Sequence, residues 1–347
     1  MKKLKNGCAL LLPMNKRNLK SPEIKELQEM KITEHLSASK DKTLFSFEIL
    51  PPLKGQNIQS IFDGIDPLME FKPPFIDVTY HREEYVYIER GKGLLEKRVV
   101  RKRPGTVGIC AAIQSKYKVD AVPHILCGGF SKEDTENFLI DLDFLGIKNV
   151  MALRGDAVKS EIYFTPDPQG HNYANELVEQ ISAMNRGQFL DEALENGHHT
   201  DFCAGVAGYP EKHMEAPSLE KDIQRLKTKI EAGAEYVVTQ MFFDNQKFFE
   251  FEKSCRESGI TVPIIPGLKP IATKKQLTLI PHRFHVDMPN DLTREVEKCK
   301  NNEEVHQVGV EWCIAQSKEL VAAGIPVLHY YSMGKSSNIK SIASQVF

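Results

Sequence analysis

The stretch Leu44-Phe45-Ser46-Phe47-Glu48-Ile49-Leu50-Pro51-Pro52 decides the fold. Its apolar and aromatic residues form a short run that ends at two prolines, which is typical of a strand buried on both faces. One carboxylate, Glu48, lies inside this run. Because an ionised carboxylate is costly in apolar surroundings, we expect Glu48 to be either paired or protonated. The stretch therefore predicts a buried strand that carries an unusual acid near its carboxyl end.

Seven more apolar runs follow along the chain, separated by longer amphipathic stretches. With the first run, they are Leu44–Leu50, Phe75–Tyr80, Ala121–Leu126, Asn149–Leu153, Phe202–Ala207, Tyr236–Phe242, Pro263–Gly267 and Val327–Tyr331. Such alternation is typical of a parallel sheet covered by helices. Because eight parallel strands close a barrel, the sequence predicts an α/β fold consisting of a single (β/α)₈ TIM barrel.

Three amphipathic stretches carry clear helix boundaries. Ser131–Leu145 and Ser218–Ala232 each open with a serine, a residue that caps helix N-termini, and the second is followed by Gly233. A third predicted helix, Asn302–Ala323, stops at Gly324. These helices fit the outer layer of the barrel.

No internal repeat or low-complexity linker marks a domain boundary. We therefore expect one catalytic domain over residues 41–347, preceded by an N-terminal extension, 1–40, that is partly disordered or helical. Ser21–Ser37 has helical spacing. The apolar run Cys8–Leu12 is shorter than the roughly 7–15 residues of a secretory signal, so we do not predict one.

Composition argues against several classes of protein. The formal net charge is −2, so no overall field attracts nucleic acid or membrane, and no apolar run is long enough to span a bilayer. The seven cysteines form no C-x-x-C pair and predict reduced thiols in the cytoplasm. No H-E-x-x-H motif occurs either, so we predict no metal site.

Chemistry in such barrels sits at the carboxyl ends of the strands, and polar residues are common there in this chain. Burial would raise the pKa of Glu48, which suits a general acid; a salt-bridged structural glutamate is the alternative. His124, in the third run, is either a residue of the site or a hydrogen-bonded core histidine. The convergence of many polar groups at one mouth favours an enzyme.

A basic stretch, Arg82–Lys118, interrupts this pattern between the second and third runs. A run of basic residues can bind polyanions. A solvated helix face or loop is the simpler interpretation, and it is our prediction for this segment.

Five short motifs together resemble one family. They are Phe47-Glu48-x-x-Pro51-Pro52, Leu153-Arg154-Gly155-Asp156, Tyr209-Pro210-x-x-His213, Thr239-Gln240-x-Phe242-Phe243 and Ile265-Pro266-Gly267. In this order and spacing they resemble the methylenetetrahydrofolate reductases, in the shorter bacterial form without a regulatory domain. The resemblance runs from about Leu44 to Ile342.

The resemblance implies a barrel that binds FAD non-covalently. NADH or NADPH would deliver a hydride to the flavin and leave, and methylenetetrahydrofolate would then take the hydride at the same face to give 5-methyltetrahydrofolate. Because the two substrates share one site, the kinetics would be ping-pong. The resemblance also implies a homo-oligomer.

The resemblance assigns roles residue by residue. Glu48 matches the general acid that protonates the bridging nitrogen of the folate, and Asp156 matches an aspartate whose charge stabilises the cationic folate. Gln240, Gln276 and Lys335 match substrate-binding positions. The flavin-binding positions match Thr79, Tyr80, His124, Leu153, Arg154, Gly155, Asp156, Tyr173, Ala174, Tyr209, His213, Asp222 and Lys229.

Some residues depart from the family pattern. Lys335 stands where arginine is usual, and a lysine lacks the bidentate fork that pairs with a carboxylate. Ile49-Leu50 replaces an aromatic pair. Two alternatives remain: another flavin or pterin barrel enzyme that uses a partner electron donor, and a non-catalytic folate-binding barrel.

Overall fold

The computed structural model describes residues 29–39, 42–158, 161, 163–332, 334 and 336–347. The strands are β1 (Leu44–Ile49), β2 (Phe75–Val78), β3 (Glu84–Glu89), β4 (Leu95–Val100), β5 (Asp120–Leu126), β6 (Asn149–Leu153), β7 (Cys203–Gly208), β8 (Tyr236–Thr239), β9 (Ile264–Ile265), β10 (Gly267–Leu268) and β11 (Val327–Tyr331).

Helices alternate with these strands and form an outer layer. They are α1 (Ile32–Ala38), α2 (Gln59–Ile65), a 3₁₀ helix (Asp66–Phe71), α3 (Thr106–Tyr117), α4 (Lys132–Phe144), α5 (Ala174–Asn185), α6 (Leu219–Glu231), α7 (Asn245–Glu257), α8 (Gln276–Phe284), α9 (Asn290–Lys298), α10 (Asn302–Ala322) and α11 (Ser337–Val346). In the described part of the chain, no helix combines the length and apolarity needed to cross a membrane.

Nine strands form one parallel sheet, in the order β10-β11-β1-β2-β5-β6-β7-β8-β9. Its two edges, β9 and β10, are separated in sequence only by Pro266. β9 pairs with β8, and β10 pairs with β11. The two edges are thus halves of one broken strand, which closes the sheet. The predicted (β/α)₈ barrel is confirmed.

All eight predicted apolar runs coincide with barrel strands, although some boundaries differ. The second run extends past the end of β2 at Val78, and the sixth extends past the end of β8 at Thr239. The predicted helix starts are also confirmed. The Ser131 hydroxyl accepts a hydrogen bond from the backbone N–H of Asp134, and Ser218 accepts one from Lys221, so both serines cap their helices.

Side chains alternate between the two faces of each barrel strand. On β1, Phe45, Phe47 and Ile49 belong to the core cluster packed under the helices. The intervening Ser46 and Glu48 therefore point into the barrel. A second cluster fills the lower interior and contains Ile32, Phe75, Val122, Met151, Cys203, Tyr236, Val238, Ile265 and Val327. The barrel interior is thus apolar near the amino ends of the strands and polar above.

Helix α1 closes the lower end of the barrel, where Ile32 joins the interior cluster. The Asn149 side chain on β6 accepts a hydrogen bond from the Ile32 N–H and donates one to the Met30 carbonyl, both at 2.8 Å. His35 also lies 2.6 Å from the Asp120 carboxylate. The helical part of the predicted extension therefore acts as a plug; the beginning of predicted helix Ser21–Ser37 lies outside the described residues.

The prediction for Arg82–Lys118 is wrong in its first half, which forms an antiparallel hairpin of β3 and β4, and its second half is α3. Gly91 and Gly93 adopt positive φ and permit the tight turn. β3 contains four consecutive β-forming residues, Tyr85–Ile88, and its side chains alternate in exposure with the period of a strand, a signal that the many positive charges of the surrounding segment obscured.

The plug generates a stability prediction. Replacing Asn149, which is only 1% exposed, with alanine removes the partner of the buried Ile32 N–H and of the partly buried Met30 carbonyl. We expect Asn149→Ala to lower the free energy of unfolding by about 2 kcal/mol or more. Chemical unfolding followed by circular dichroism measures this loss. Asn137→Ala, on the exposed surface of α4, is the control and should change stability little; an equal loss in both variants would contradict the plug's role.

Candidate active site

The predicted site residues gather mainly at the carboxyl ends of the barrel strands. Their positions are Glu48 on β1, Thr79 and Tyr80 after β2, His124 on β5, Leu153 on β6, Arg154, Gly155 and Asp156 after β6, Tyr209 and His213 after β7, and Gln240 after β8. Parallel strands all end at the same rim, so these residues share one mouth.

Glu48 is an acid enclosed by the barrel, with 9% of its surface exposed. Burial is the largest influence on its pKa and, with the nearby charge of Asp77, raises it to about 7; His124 and Lys269 act in the opposite direction. Its carboxylate lies 3.9 Å from His124 Nε2, which is too long for a hydrogen bond. Glu48 is therefore a buried acid with a raised pKa and without a hydrogen bond to His124.

His124 lies between two acidic side chains. Its Nε2 atom is 3.3 Å from Asp77 Oδ2 and 3.9 Å from Glu48 Oε2. Burial acts to lower the pKa of His124, but the hydrogen bond to Asp77 and the charges of both acids outweigh it, so the pKa is raised. His124 is therefore a hydrogen-bonded interior histidine and also a neighbour of the candidate acid.

We predicted no individual role for Asp77, although it is buried beside His124. Asp77 is a carboxylate inside an apolar run, which is the same signal that singled out Glu48. Its contact with His124 joins two strands and cannot be read from either strand alone. Lys269, which faces Glu48 from the loop after β10, follows the seventh apolar run, but we predicted no individual role for it from the sequence alone.

The loop after β6 presents a glycine, a cation and an anion at the mouth. Gly155 has φ +86°, which a residue with a side chain rarely adopts. The Arg154 guanidinium donates hydrogen bonds of 2.6 and 2.9 Å to Glu215 and lies over the Phe164 ring. Asp156 is exposed. The two candidate catalytic carboxyl groups therefore have opposite environments.

Several predicted flavin-binding residues form a connected group at β7 and α6. The Asp222 carboxylate accepts a hydrogen bond from the His213 N–H at 2.8 Å, and the His213 and Tyr209 rings lie 4.7 Å apart. Lys229 donates a hydrogen bond to the Ala207 carbonyl at 2.5 Å. Burial lowers the pKa of Lys229 to about 8, while Asp222 opposes this shift.

The residues at the mouth fit a bound flavin nucleotide. The Thr79 hydroxyl is buried and has no hydrogen-bond partner within the described ranges, which is costly unless a ligand provides one. The buried ammonium of Lys229 contacts a neutral carbonyl, so it can still compensate an anionic group. These two side chains are a polar anchor and a cation, and a phosphorylated cofactor requires both.

Other predicted residues are less closely connected to this group. Tyr173 precedes α5, Ala174 is its first residue, and Tyr173 is 58% exposed. The Gln276 side-chain oxygen accepts hydrogen bonds from the N–H groups of Ala272 and Thr273, so it stabilises the start of α8. Their ligand contacts stay predictions.

Two substrate-binding predictions need separate comment. The Gln240 side-chain oxygen accepts a hydrogen bond from the adjacent Met241 N–H at 3.0 Å, which leaves its amide nitrogen for a ligand. Lys335 lies outside the described residues. Across the residues that the structure describes, no cluster of three or more His, Cys, Asp or Glu side chains is suited to hold a metal ion.

Comparisons with known proteins show which family this chain resembles. A family model described as methylenetetrahydrofolate reductase matches residues 31–346. Methylenetetrahydrofolate reductase 1 of Schizosaccharomyces pombe is 31% identical over 309 residues, which cover 88% of this chain and 46% of that protein. The 5,10-methylenetetrahydrofolate reductase of Pectobacterium carotovorum subsp. carotovorum is 29% identical over 310 residues, covering 89% and 92%.

The chain spans about half the length of the first curated relatives it matches. Among solved structures, a Clostridium thermocellum protein described as binding two copies of 5-methyl-5,6,7,8-tetrahydrofolic acid superposes with a TM-score of 0.53 at 13% identity, covering 90% of this chain and 97% of that one. That likeness supports the barrel fold alone. From the span of the family model, the chain belongs to the methylenetetrahydrofolate reductase family.

Proposed function

We propose that this protein reduces 5,10-methylenetetrahydrofolate to 5-methyltetrahydrofolate, using NADH or NADPH as hydride donor and non-covalently bound FAD as carrier. The observation that carries the proposal is Glu48, a barrel-enclosed acid whose pKa is about 7, in a chain that belongs to this family.

Glu48 is suited to donate a proton at neutral pH. A catalytic acid is most effective when its pKa lies near the working pH, and burial brings Glu48 to this range. The protonated carboxyl group would transfer its proton to the bridging nitrogen of the bound folate, which opens the ring and prepares its one-carbon unit to accept hydride. Burial also limits the access of water to this proton.

Asp156 has the complementary role. It is exposed on the loop after β6, and its negative charge can stabilise the cationic folate. One carboxyl group that donates a proton and another that stays charged form the pair that acid-assisted reduction needs.

Bound FAD would supply the hydride transfer, and this chain's residues would hold it. The Thr79 hydroxyl would gain a partner, and Lys229 would face the pyrophosphate. Arg154 is paired with Glu215, so binding a phosphate through Arg154 would require that ion pair to open. Tyr209 and His213 would line the same cofactor.

The proposed cellular location is the cytoplasm. The described cysteines are free thiols, most of them buried, which suits the reducing cytoplasm. Assembly into a homo-oligomer stays a prediction drawn from the family.

Cofactor binding is the first test. We expect purified protein to be yellow, to release FAD on denaturation, and to lose its flavin absorbance during anaerobic titration with NADH or NADPH. Reduction only by an artificial donor would favour an enzyme with a partner electron donor. Protein that stays colourless and does not take up added FAD would refute the proposal.

The charge of Lys229 predicts a loss of FAD affinity that can be compared with a matched control variant. Lys229→Gln keeps a hydrogen-bond donor but removes the charge, so the dissociation constant for FAD, measured by quenching of flavin fluorescence, should rise about tenfold or more. Lys227→Gln, on the exposed face of the same helix, should bind FAD like the unaltered protein.

The acid assignment predicts a selective loss. Glu48→Gln should slow folate reduction by about 100-fold or more, because the proton donor is gone, while flavin reduction by nicotinamide continues. In the unaltered protein, folate reduction should fall as pH rises through about 7, where the protonated acid is lost. Stopped-flow measurement of each half-reaction separates these effects.

Glu211→Gln provides the matched control, because burial also raises the pKa of Glu211 to about 7 although this residue contacts the Asp287 backbone instead of His124. It should keep the folate half-reaction. Equal loss of both half-reactions in Glu48→Gln would reject the acid role.

The charge of Asp156 predicts a second selective effect. Asp156→Asn preserves shape but removes the anion, so we expect the folate half-reaction to slow about tenfold or more in the same stopped-flow assay. Asp141→Asn, on an exposed position of α4, should leave that rate unchanged. An unaltered folate rate in Asp156→Asn would remove its proposed role.

A further inference from the structure

Asp77 is the most enclosed charged residue among those near the mouth, with 1% of its surface exposed. It pairs in register with Glu48 on one side and Val122 on the other, so β2 holds it between the two strands that carry Glu48 and His124. Its Oδ2 atom lies 3.3 Å from His124 Nε2, and its Oδ1 atom has no hydrogen-bond partner among the described residues.

His124 cannot compensate the negative charge of both carboxylates equally. The same atom, Nε2, lies 3.3 Å from Asp77 and 3.9 Å from Glu48. One imidazolium compensates one negative charge, and like charges this close in a dry interior are costly. The shorter contact assigns the imidazolium to Asp77, and Glu48 can then remain protonated without leaving a buried charge unpaired.

The other titratable groups around this set leave Asp77 as the anion facing His124. Burial lowers the pKa of His329, which faces Asp77 and His124, and raises that of Tyr331, which faces Glu48 and Asp77. Both are therefore neutral near pH 7. The further groups that face the set are Lys269 toward Glu48, His81 toward His124, and Cys110 and Tyr236 toward Asp77.

Three of these further groups are also neutral near pH 7. Burial raises the pKa of Cys110 and Tyr236 and lowers the pKa of His81. Lys269 is the remaining cation, and it faces Glu48. Lys269 can therefore compensate Glu48 after proton donation, whereas Asp77 governs the state before donation.

We propose that Asp77 is a positioning residue that holds His124 as an imidazolium and thereby keeps the proton on Glu48 ready for transfer. The inference rests on the proposed acid role of Glu48 and deepens it. The proton moves from Glu48 to the substrate nitrogen, while His124 keeps its proton and Asp77 stays an anion, so charge and protons balance through the step.

Removing the charge of Asp77 changes the proton affinity of its neighbours in a definite direction. A nearby negative charge favours proton binding, so its loss lowers the proton affinity of the Glu48–His124 pair whichever residue holds the proton. This loss reduces the supply of protonated Glu48 near neutral pH.

The test uses Asp77→Asn in the FAD-loaded protein. We expect the pH above which the folate half-reaction declines to fall by about one unit or more, while flavin reduction by nicotinamide continues. The second readout is independent of activity and uses nuclear magnetic resonance of the His124 ring, whose signal is assigned by its loss in His124→Gln. In the unaltered protein this ring should be protonated at pH 7. In Asp77→Asn the ring should lose its proton at a lower pH than in the unaltered protein.

Two variants distinguish charge from packing. Asp77→Glu keeps the anion, so its pH profile should move back toward that of the unaltered protein. Ser46→Ala removes a buried hydroxyl that contacts His329 at 2.9 Å instead of His124, and its profile should not shift.

Several results would overturn the inference. One is a folded Asp77→Asn protein with an unchanged pH profile and an unchanged His124 signal. If Asp77→Asn does not fold, a neutral His124 ring at pH 6.5 in the unaltered protein would overturn the inference instead. Absence of folate reduction in the unaltered protein would reject the proposed function instead, and the ring signal would still decide whether Asp77 holds His124 charged.

Discussion

A carboxyl group enclosed by a barrel of apolar strands has too little water around it to ionise freely, and the site is arranged around this constraint. Glu48 points inward because β1 alternates its side chains, and its outward neighbours anchor the strand under the helices. Its acidity therefore depends on the register of the barrel and on the few charges that share the interior.

The amino-end and carboxyl-end levels of the barrel interior have different roles. Near the amino ends of the strands, apolar side chains and helix α1 provide packing. Gly205 leaves room there, since a Cβ atom at this position would lie 2.2 Å from the Tyr236 ring. Near the carboxyl ends, polar side chains replace the apolar ones. Stability and chemistry thus occupy opposite ends of the same strands, as is usual in such barrels.

The barrel could be predicted because its signal is local and repeated. Each strand is a short apolar run, and each confirmed helix begins at a residue such as Ser131 that caps it. Glu48 could be predicted because a carboxylate stands out within such a run. The hairpin was missed because charge obscured its alternation, and the pairing of Asp77 with His124 was missed because it depends on two strands lying side by side.

The plug has a consequence for how the chain is made. Lys31 pairs with Asp201, and Asn149, whose side chain binds the backbone beside α1, is separated from Ile32 by 117 positions. Helix α1 must therefore wait until Asp201 has been synthesised before all of these contacts can form. Such high contact order delays docking, so the nascent polypeptide leaves Ile32 exposed to a chaperone while its partner strands are still being made.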